Sequence, residues 1–557
     1  MPRNSQTIRN RNGRKMTVVF DRDGEDSESL RFGPAAGMAV MESLGIAEMI
    51  DDACEWDRKQ RVLTPGTAIK LIAGTMYTEN LKQAMHNMPL FYSGSPPDLL
   101  AGPKATADSL SDSAFGRALE TVFKADTEKL FCSICAKVKA QIGLDPRTYH
   151  FDPTNVTISR SAGDGYGELP EGAPIPKLGR SKDGTGGRVQ YSVSCAVDEF
   201  GLPAYVRTCD GNTDDTEMIS DAVRFIEKVL GDKRIVAVGD SKMTHWNLVE
   251  HMCSHGTHFV SKPPMNFADG ARGKAVEKAF QNRFSAIGAI GSRKNSPTFE
   301  AYDTDVVCKT MTLRFIVYRR TDRSKTVRHM KRVEGIVLDE ASKSLAHESF
   351  KTEEEARAAY REAVKGYAGK AYDLTPTFRS RRSYKGGTEW KATFKRTFNE
   401  KRAYEIAAKD VEVLITSLPR SDITNEDPSE GATVRDVMRI YFGQWKIEGL
   451  FATMKSGIGA DEVFFQNPER EAVMMFIIAL AALIRNVIKM RLRSEHGKGI
   501  GIPPNITAER MFLLVQNVLV KYDREGNRIY MGGSPGDKKR ALAFMDALRI
   551  DPTTLLG

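Results

Sequence analysis

Residues Ile235-Val236-Ala237-Val238-Gly239 form a short run without a polar side chain, entered from Arg234 and ended by Asp240. A run of this length and β-branched content reads as a buried-type strand. Its neighbours extend the pattern. Tyr149-His150-Phe151 leads as a strand directly into Asp152. Segments 191–197 and 202–208 flank Asp198-Glu199-Phe200-Gly201, a hairpin signal. Segment 213–230 reads as a helix, 243–255 as another, and 258–261 as a short strand. The order strand, hairpin, helix, strand, helix, strand predicts an α/β fold in which helices flank a mixed sheet.

The chain has 557 residues, which suggests three or four domains, and 41% apolar with 27% charged residues excludes a disordered or fibrous protein. Seven cysteines without regular spacing argue against a secreted disulfide framework and for a reducing cytosol. No signal peptide is visible. The longest apolar stretch, 473–484, is too short to span a bilayer and reads as a buried helix, so no membrane partner is expected. With 81 Lys and Arg against 72 Asp and Glu, the net charge of +9 suits a polyanionic partner.

Six regions follow. Residues 1–36 are a basic, flexible arm, and 37–144 a helical domain. In the latter Thr64 before Pro65, Ser111-Asp112 and Asp126 are helix caps. Two short helices joined by a tight turn are open to two readings. One is a helix-turn-helix with Lys104, Arg117, Lys124 and Lys129 as phosphate contacts; the other is a plain bundle with a solvated basic face. Residues 145–261 hold the first part of the sheet. Residues 262–410 form a basic, β-rich insertion with a long hairpin (298–307 and 309–321), eight Arg or Lys against one acid in 314–332, and a second basic run at Arg379, Arg381, Arg382 and Lys385. The sheet resumes in 411–495, with a long helix over 433–455 and an apolar helix from Pro468. Residues 496–557 are a helical tail.

Three carboxylates stand where chemistry would need them. Asp152 and Asp240 each end a strand, and strand ends meet at one sheet edge although these lie 88 positions apart. Glu448 lies mid-helix beyond the insertion. Singly, each acid suits a cap or a turn. Together they are too repulsive to stay ionised without divalent cations, and hard oxygen ligands select Mg²⁺ or Mn²⁺. Two such ions suit phosphodiester cleavage. Tyr441, Gln444, Glu448 and Lys455 are spaced by three, four and seven, along one stripe of a regular helix. Such a stripe suits contacts to a DNA backbone, or equally a solvated helix face.

The segment Tyr441-Phe-Gly-Gln-Trp-Lys-Ile-Glu448-Gly-Leu-Phe-Ala-Thr-Met-Lys455 resembles the Tyr-x2-Arg-x3-Glu-x6-Lys signature of DDE transposases from bacterial insertion sequences. Every spacing matches, and the Arg position alone departs, being Gln444. Gly179-Arg-Ser-Lys-Asp183 through Gln190, Gly201-Leu-Pro203 and Gly211-Asn-Thr213 resemble the same family over residues 145–490. The resemblance implies an RNase H-like core with Asp152, Asp240 and Glu448 as ligands of two Mg²⁺ or Mn²⁺ ions, and Tyr441 and Lys455 against the transposon-end strand. It implies terminal inverted repeats and target DNA as double-stranded partners, a homodimer in a synaptic complex, and a cytoplasmic, nucleoid-associated prokaryotic protein. Gln444 brings no charge and no bidentate fork, so no hairpin intermediate is implied. A non-catalytic DNA-binding derivative and a standalone metal-dependent nuclease are the alternatives. Trp246, Trp390 and Trp445 read either as core residues or as platforms for an unpaired base. Cys132-Ser-Ile-Cys135 lacks a second pair, the histidines at 245–258 match no finger spacing, and Gly179–Gly187 lacks a P-loop ending. No nucleotide cofactor is expected.

Overall fold

The computed structural model describes residues 5–9, 15–19, 28–59, 62–78, 85–158, 170–179, 188–231, 233–291, 296–367, 370–382, 386–457, 467–494, 506–507, 510–523 and 528–556. The chain divides into two compact units rather than three or four domains. One comprises 1–261, 426–430 and 440–557; the other comprises 262–425 and 431–439.

The first unit contains the expected sheet. Thr148–Thr157 pairs in parallel with Val236–Gly239, which pairs in parallel with His258–Ser261. On its other edge Thr148–Thr157 is antiparallel to Val189–Asp198, and that strand to Pro203–Cys209. This is a mixed sheet in the strand order that the sequence predicts. The hairpin turn is where the sequence places it. Asp198 accepts the N–H groups of Phe200 and Leu202, each at 2.9 Å, and Gly201 takes a positive φ of 79°. The glycine of Gly211-Asn-Thr213 is required by space, since a Cβ there would overlap the carbonyl oxygens of Gln190 and Lys177.

Two of the three helix caps hold as read: Thr64 accepts from Thr67 N at 3.1 Å and Asp126 from Lys129 N at 2.9 Å, whereas Ser111 precedes the helix Asp112–Phe123 without a side-chain cap bond. The helices of 37–144 share one apolar core with Pro468–Arg493 and with the tail, so this region belongs to the same unit as the sheet. Pro468–Arg493 has the length and apolarity to cross a membrane, but 94% of its most apolar window is buried in the protein. It is the core helix of the unit.

Both ends differ from the sequence reading. Ser5–Arg9, Lys15–Val19 and Glu28–Arg31 lie in a five-stranded sheet with Leu519–Asp523 and Arg528–Gly532. The 1–36 arm is therefore partly strand, and the tail holds a β-hairpin ahead of its helix Pro535–Leu548. Ser5–Arg9 pairs with nearby Lys15–Val19 and Leu519–Asp523 with nearby Arg528–Gly532, but the two ends join only across some 500 residues of chain, a pairing that local pattern does not encode.

The second unit carries the long hairpin, Thr298–Cys308 with Met311–Arg320, turning through Lys309 at a positive φ of 47°. Ser285–Ala289 and Glu412–Thr416 flank it. The strand at 412–416 was expected in the second stretch of the core and instead belongs to this unit. Tyr372–Arg382 and Thr388–Phe398 form a separate ribbon against Ser324–His347 and Glu353–Ala363. A 24-residue helix starting at Ser324 makes this block mixed α and β rather than β-rich.

Candidate active site

The parallel pairing of Thr148, Tyr149 and His150 with Val236, Ala237 and Val238 sets the geometry. Two residues further along come Asp152 and Asp240, in step on neighbouring strands about 4.8 Å apart. Asp240 directly follows its strand, but Asp152 stands mid-strand rather than at a strand end, because pairing with Val189–Asp198 carries its strand on to Thr157. Asp240 begins a 3-10 turn, Ser241–Thr244, and one of its carboxylate oxygens accepts from Lys242 N at 2.9 Å. Its backbone carbonyl accepts from Ser261 Oγ at 2.6 Å. Ser261 is buried on the adjoining strand, a support for Asp240 that carries no sequence signal.

Asp152 is half-buried and sits opposite Cys195. Burial pushes the Cys195 thiol up; the Asp152 charge adds to that and the Lys455 charge opposes it, so both side chains act on one thiol. Glu448 is exposed on the helix Trp445–Ala452, which packs against the strands of Asp152 and Cys195.

The single helix expected over 433–455 is interrupted. Val434–Tyr441 is α-helical, Phe442–Gln444 is a 3-10 turn, Trp445–Ala452 is α-helical, and Thr453–Gly457 is a π-turn. The tighter and wider turns change the angular step per residue, so Tyr441, Gln444, Glu448 and Lys455 do not follow one straight stripe. Tyr441 is buried at 7% exposure, Gln444 and Lys455 are half-buried, and Trp445 is 66% exposed. Of the three tryptophans, Trp390 packs on the second unit's core and Trp246 is half-buried. Of these three, Trp445 alone is exposed.

His150, unremarked in the sequence, is 1% exposed, and neither ring nitrogen has a hydrogen-bond partner among the described residues. Burial first, then the Lys446 charge, lowers its pKa to about 3.

Asp152, Asp240 and Glu448 are all oxygen donors and two are exposed, a set that fits a hard divalent cation. Among the described residues, no three of His, Cys, Asp and Glu stand close enough together to hold an ion. That applies to the histidine cluster too. His251 and His255 stack at 4.1 Å, and His251 Nε2 pairs with Glu227 at 2.7 Å. Cys132 and Cys135 are buried free thiols, Cys135 pushed up to about 12 by burial. The glycine-rich stretch beyond Gly179 and the resemblance over 180–183 lie outside the described residues.

The basic run at 314–332 is divided. Arg314 is buried, bonded to Asp303 at 2.9–3.1 Å and to the Ala432 carbonyl at 2.8 Å. Arg319 and Arg323 both pair with Glu300, at 2.7 and 3.0 Å. Arg320, Lys325, Arg328, Lys331 and Arg332 remain exposed. In the second run Arg379, Arg381 and Arg382 are exposed and Lys385 lies outside the described residues.

Residues 36–136 match a domain of unknown function (DUF4277). The chain is similar in structure to a piggyBac transposase synaptic complex with hairpin DNA, at 9% identity and TM-score 0.36, covering 86% of this chain and 79% of that one. A pre-cleavage Mos1 transpososome matches at 13% identity and TM-score 0.14 over 33% of this chain and 61% of that one. A Mos1 mariner paired end complex with Mn matches at 14% identity and TM-score 0.14 over the same shares. Among curated proteins, no relative matches the sequence. The family model of the transposase DDE domain matches residues 144–484, more than half of the chain and all three candidate carboxylates, and the chain belongs to the DDE transposases.

Proposed function

We propose that this chain is the transposase of an insertion sequence, which binds the element's terminal inverted repeats, cleaves there and joins the freed 3′-hydroxyl to target DNA. The observation that supports this most directly is the in-step placement of Asp152 and Asp240 on neighbouring parallel strands, with the Glu448 helix packed beside them. Asp152, Asp240 and Glu448 would hold two Mg²⁺ or Mn²⁺ ions, which when bound supply an activated water and offset the charge of the phosphate. The protein's own part is positional. Lys242 N and Ser261 Oγ fix Asp240 at its side chain and carbonyl. Lys455 and Gln444 offer donors to the end strand, and Tyr441 supports them from the core. Trp445, exposed three residues before Glu448, offers a stacking face for an unpaired base.

No covalent protein intermediate is required, because water and then the 3′-hydroxyl are the nucleophiles. Two protomers would pair two element ends, since integration needs both. The helical region at 37–144 and the exposed cations of the second unit would bind duplex DNA, bringing the protein to the nucleoid.

The test is incubation of the purified chain with a labelled duplex bearing the element's terminal repeat, in Mg²⁺ and in Mn²⁺, beside Asp240→Asn. Cutting at the repeat boundary that the substitution abolishes supports the reading. Salt-sensitive binding without cutting in either metal would favour a DNA-binding derivative. Cutting without strand-transfer products would favour a nuclease.

A further inference from the structure

His150 and Gly443 meet where the Glu448 segment lies against the Asp152 strand. A Cβ built on Gly443 would stand 2.8 Å from His150 Cε1, 2.9 Å from His150 Nε2 and 3.1 Å from Lys446 Nζ. The imidazole therefore fills the space directly beside the Gly443 backbone, and only a residue without a side chain fits there. His150 and Asp152 share one face of their strand, because side chains alternate with a period of two. The contact is thus made on the face from which Asp152 projects, one residue before Gln444 and five before Glu448.

A neutral imidazole carries one donor and one acceptor, and leaving a buried polar group unpartnered costs about 1–3 kcal/mol. Such a group in a buried position calls for a reason beyond filling the core. Ion-binding constellations tolerate errors of only about 0.5 Å in the placement of their ligands. The thickness of whatever separates the helix from the strand sets that placement here.

We propose that His150 is a positioning residue: its ring is the spacer on which Gly443 seats, and it sets how closely the Glu448 helix approaches the Asp152 strand. This rests on the reading of Asp152, Asp240 and Glu448 as metal ligands. The spacer acts by volume, so a methyl group on Gly443 displaces the helix, and removing the ring makes room for that methyl.

The test measures Mn²⁺ binding to the full chain without DNA, from the electron paramagnetic resonance signal of free Mn²⁺, with the melting temperature of each variant alongside. Gly443→Ala is expected to weaken Mn²⁺ binding at least tenfold, and Gly443→Ala with His150→Ala to return it to within threefold of the parent. Gly443→Ala binding as tightly as the parent, or a double variant no better than the single one, overturns the proposal. Should Gly443→Ala fail to fold, His150→Leu and His150→Ala carry the test. Leucine keeps the volume without the nitrogens and is expected to bind Mn²⁺ within threefold, while alanine binds at least tenfold more weakly; the reverse order overturns the proposal. Asp152→Asn separates the two levels. If it binds Mn²⁺ like the parent, the metal reading falls and the spacer with it; if it loses Mn²⁺ while Gly443→Ala does not, only the spacer falls.

Discussion

Lys139 Nζ lies 3.0 Å from Asp198 Oδ2, and both side chains are buried. The pair ties the helix Thr127–Gln141 to the corner of the hairpin whose first strand lies beside Asp152. Because Asp198 also accepts the N–H groups of Phe200 and Leu202, the corner depends on its charge being matched.

Removing one partner of such a pair strands the other. Lys139→Met is expected to destabilise the first unit by about 3–5 kcal/mol. Lys139→Met with Asp198→Asn should recover part of that loss. Thermal unfolding of the four proteins of this cycle is the measurement, and a double variant less stable than Lys139→Met would refute it.

Gln444 stands where the signature that this segment resembles has arginine. Gln444→Arg is expected to add one phosphate contact, steepening the slope of log affinity against log salt by about 0.9. Fluorescence anisotropy with the terminal-repeat duplex across a salt series reads this directly; an unchanged slope removes residue 444 from the DNA contacts.

The divided basic run makes two opposite expectations. Arg314→Ala removes the buried partner of Asp303, which keeps Arg420, and of the Ala432 carbonyl, which keeps Ser421 N–H, and should lower the melting temperature, at about 1–3 kcal/mol. Arg328→Ala, on an exposed helix face, should leave the melting temperature unchanged and reduce the salt dependence of DNA binding. Equal effects of the two on both measurements would contradict the division.

Alkaline pH should unfold the first unit. Burial raises the pKa of Tyr77, Tyr92 and Tyr205 and pushes Cys135 up to about 12. In the unfolded chain thiols ionise near 8.5 and phenols near 10. Above about pH 9 the unfolded state therefore binds fewer protons than the folded one, and stability falls as pH rises toward the folded values. The melting temperature should drop between pH 9 and 11. In spectrophotometric titration, the buried phenols should ionise together with unfolding rather than before it.

Part of the local structure around the candidate site was legible. The run before Asp240 and the turn at Asp198–Gly201 are patterns within a few residues, and chirality, hydrogen bonding and side-chain alternation turn such patterns into strands and turns. Ser261 and His150 escaped because each matters only for what lies across the sheet or across some 300 positions of chain. Nothing in their own neighbourhood marks them.

The sequence by itself determined the strand order of the core, the acid that directly follows the strand ending at Gly239, the caps at Thr64 and Asp126, and the largely apolar helix from Pro468, since all follow from periodicity and local bonding. Only the tertiary structure decided that Asp152 and Asp240 run in step, that the terminal segments pair into one sheet, and that Arg314 is spent on Asp303 while Arg328 faces water. It also broke the Glu448 helix with a 3-10 and a π turn. The physical reason is the same in each case. Register, ion pairing and helix distortion are set by which surfaces meet, and that information is distributed over segments far apart in the chain.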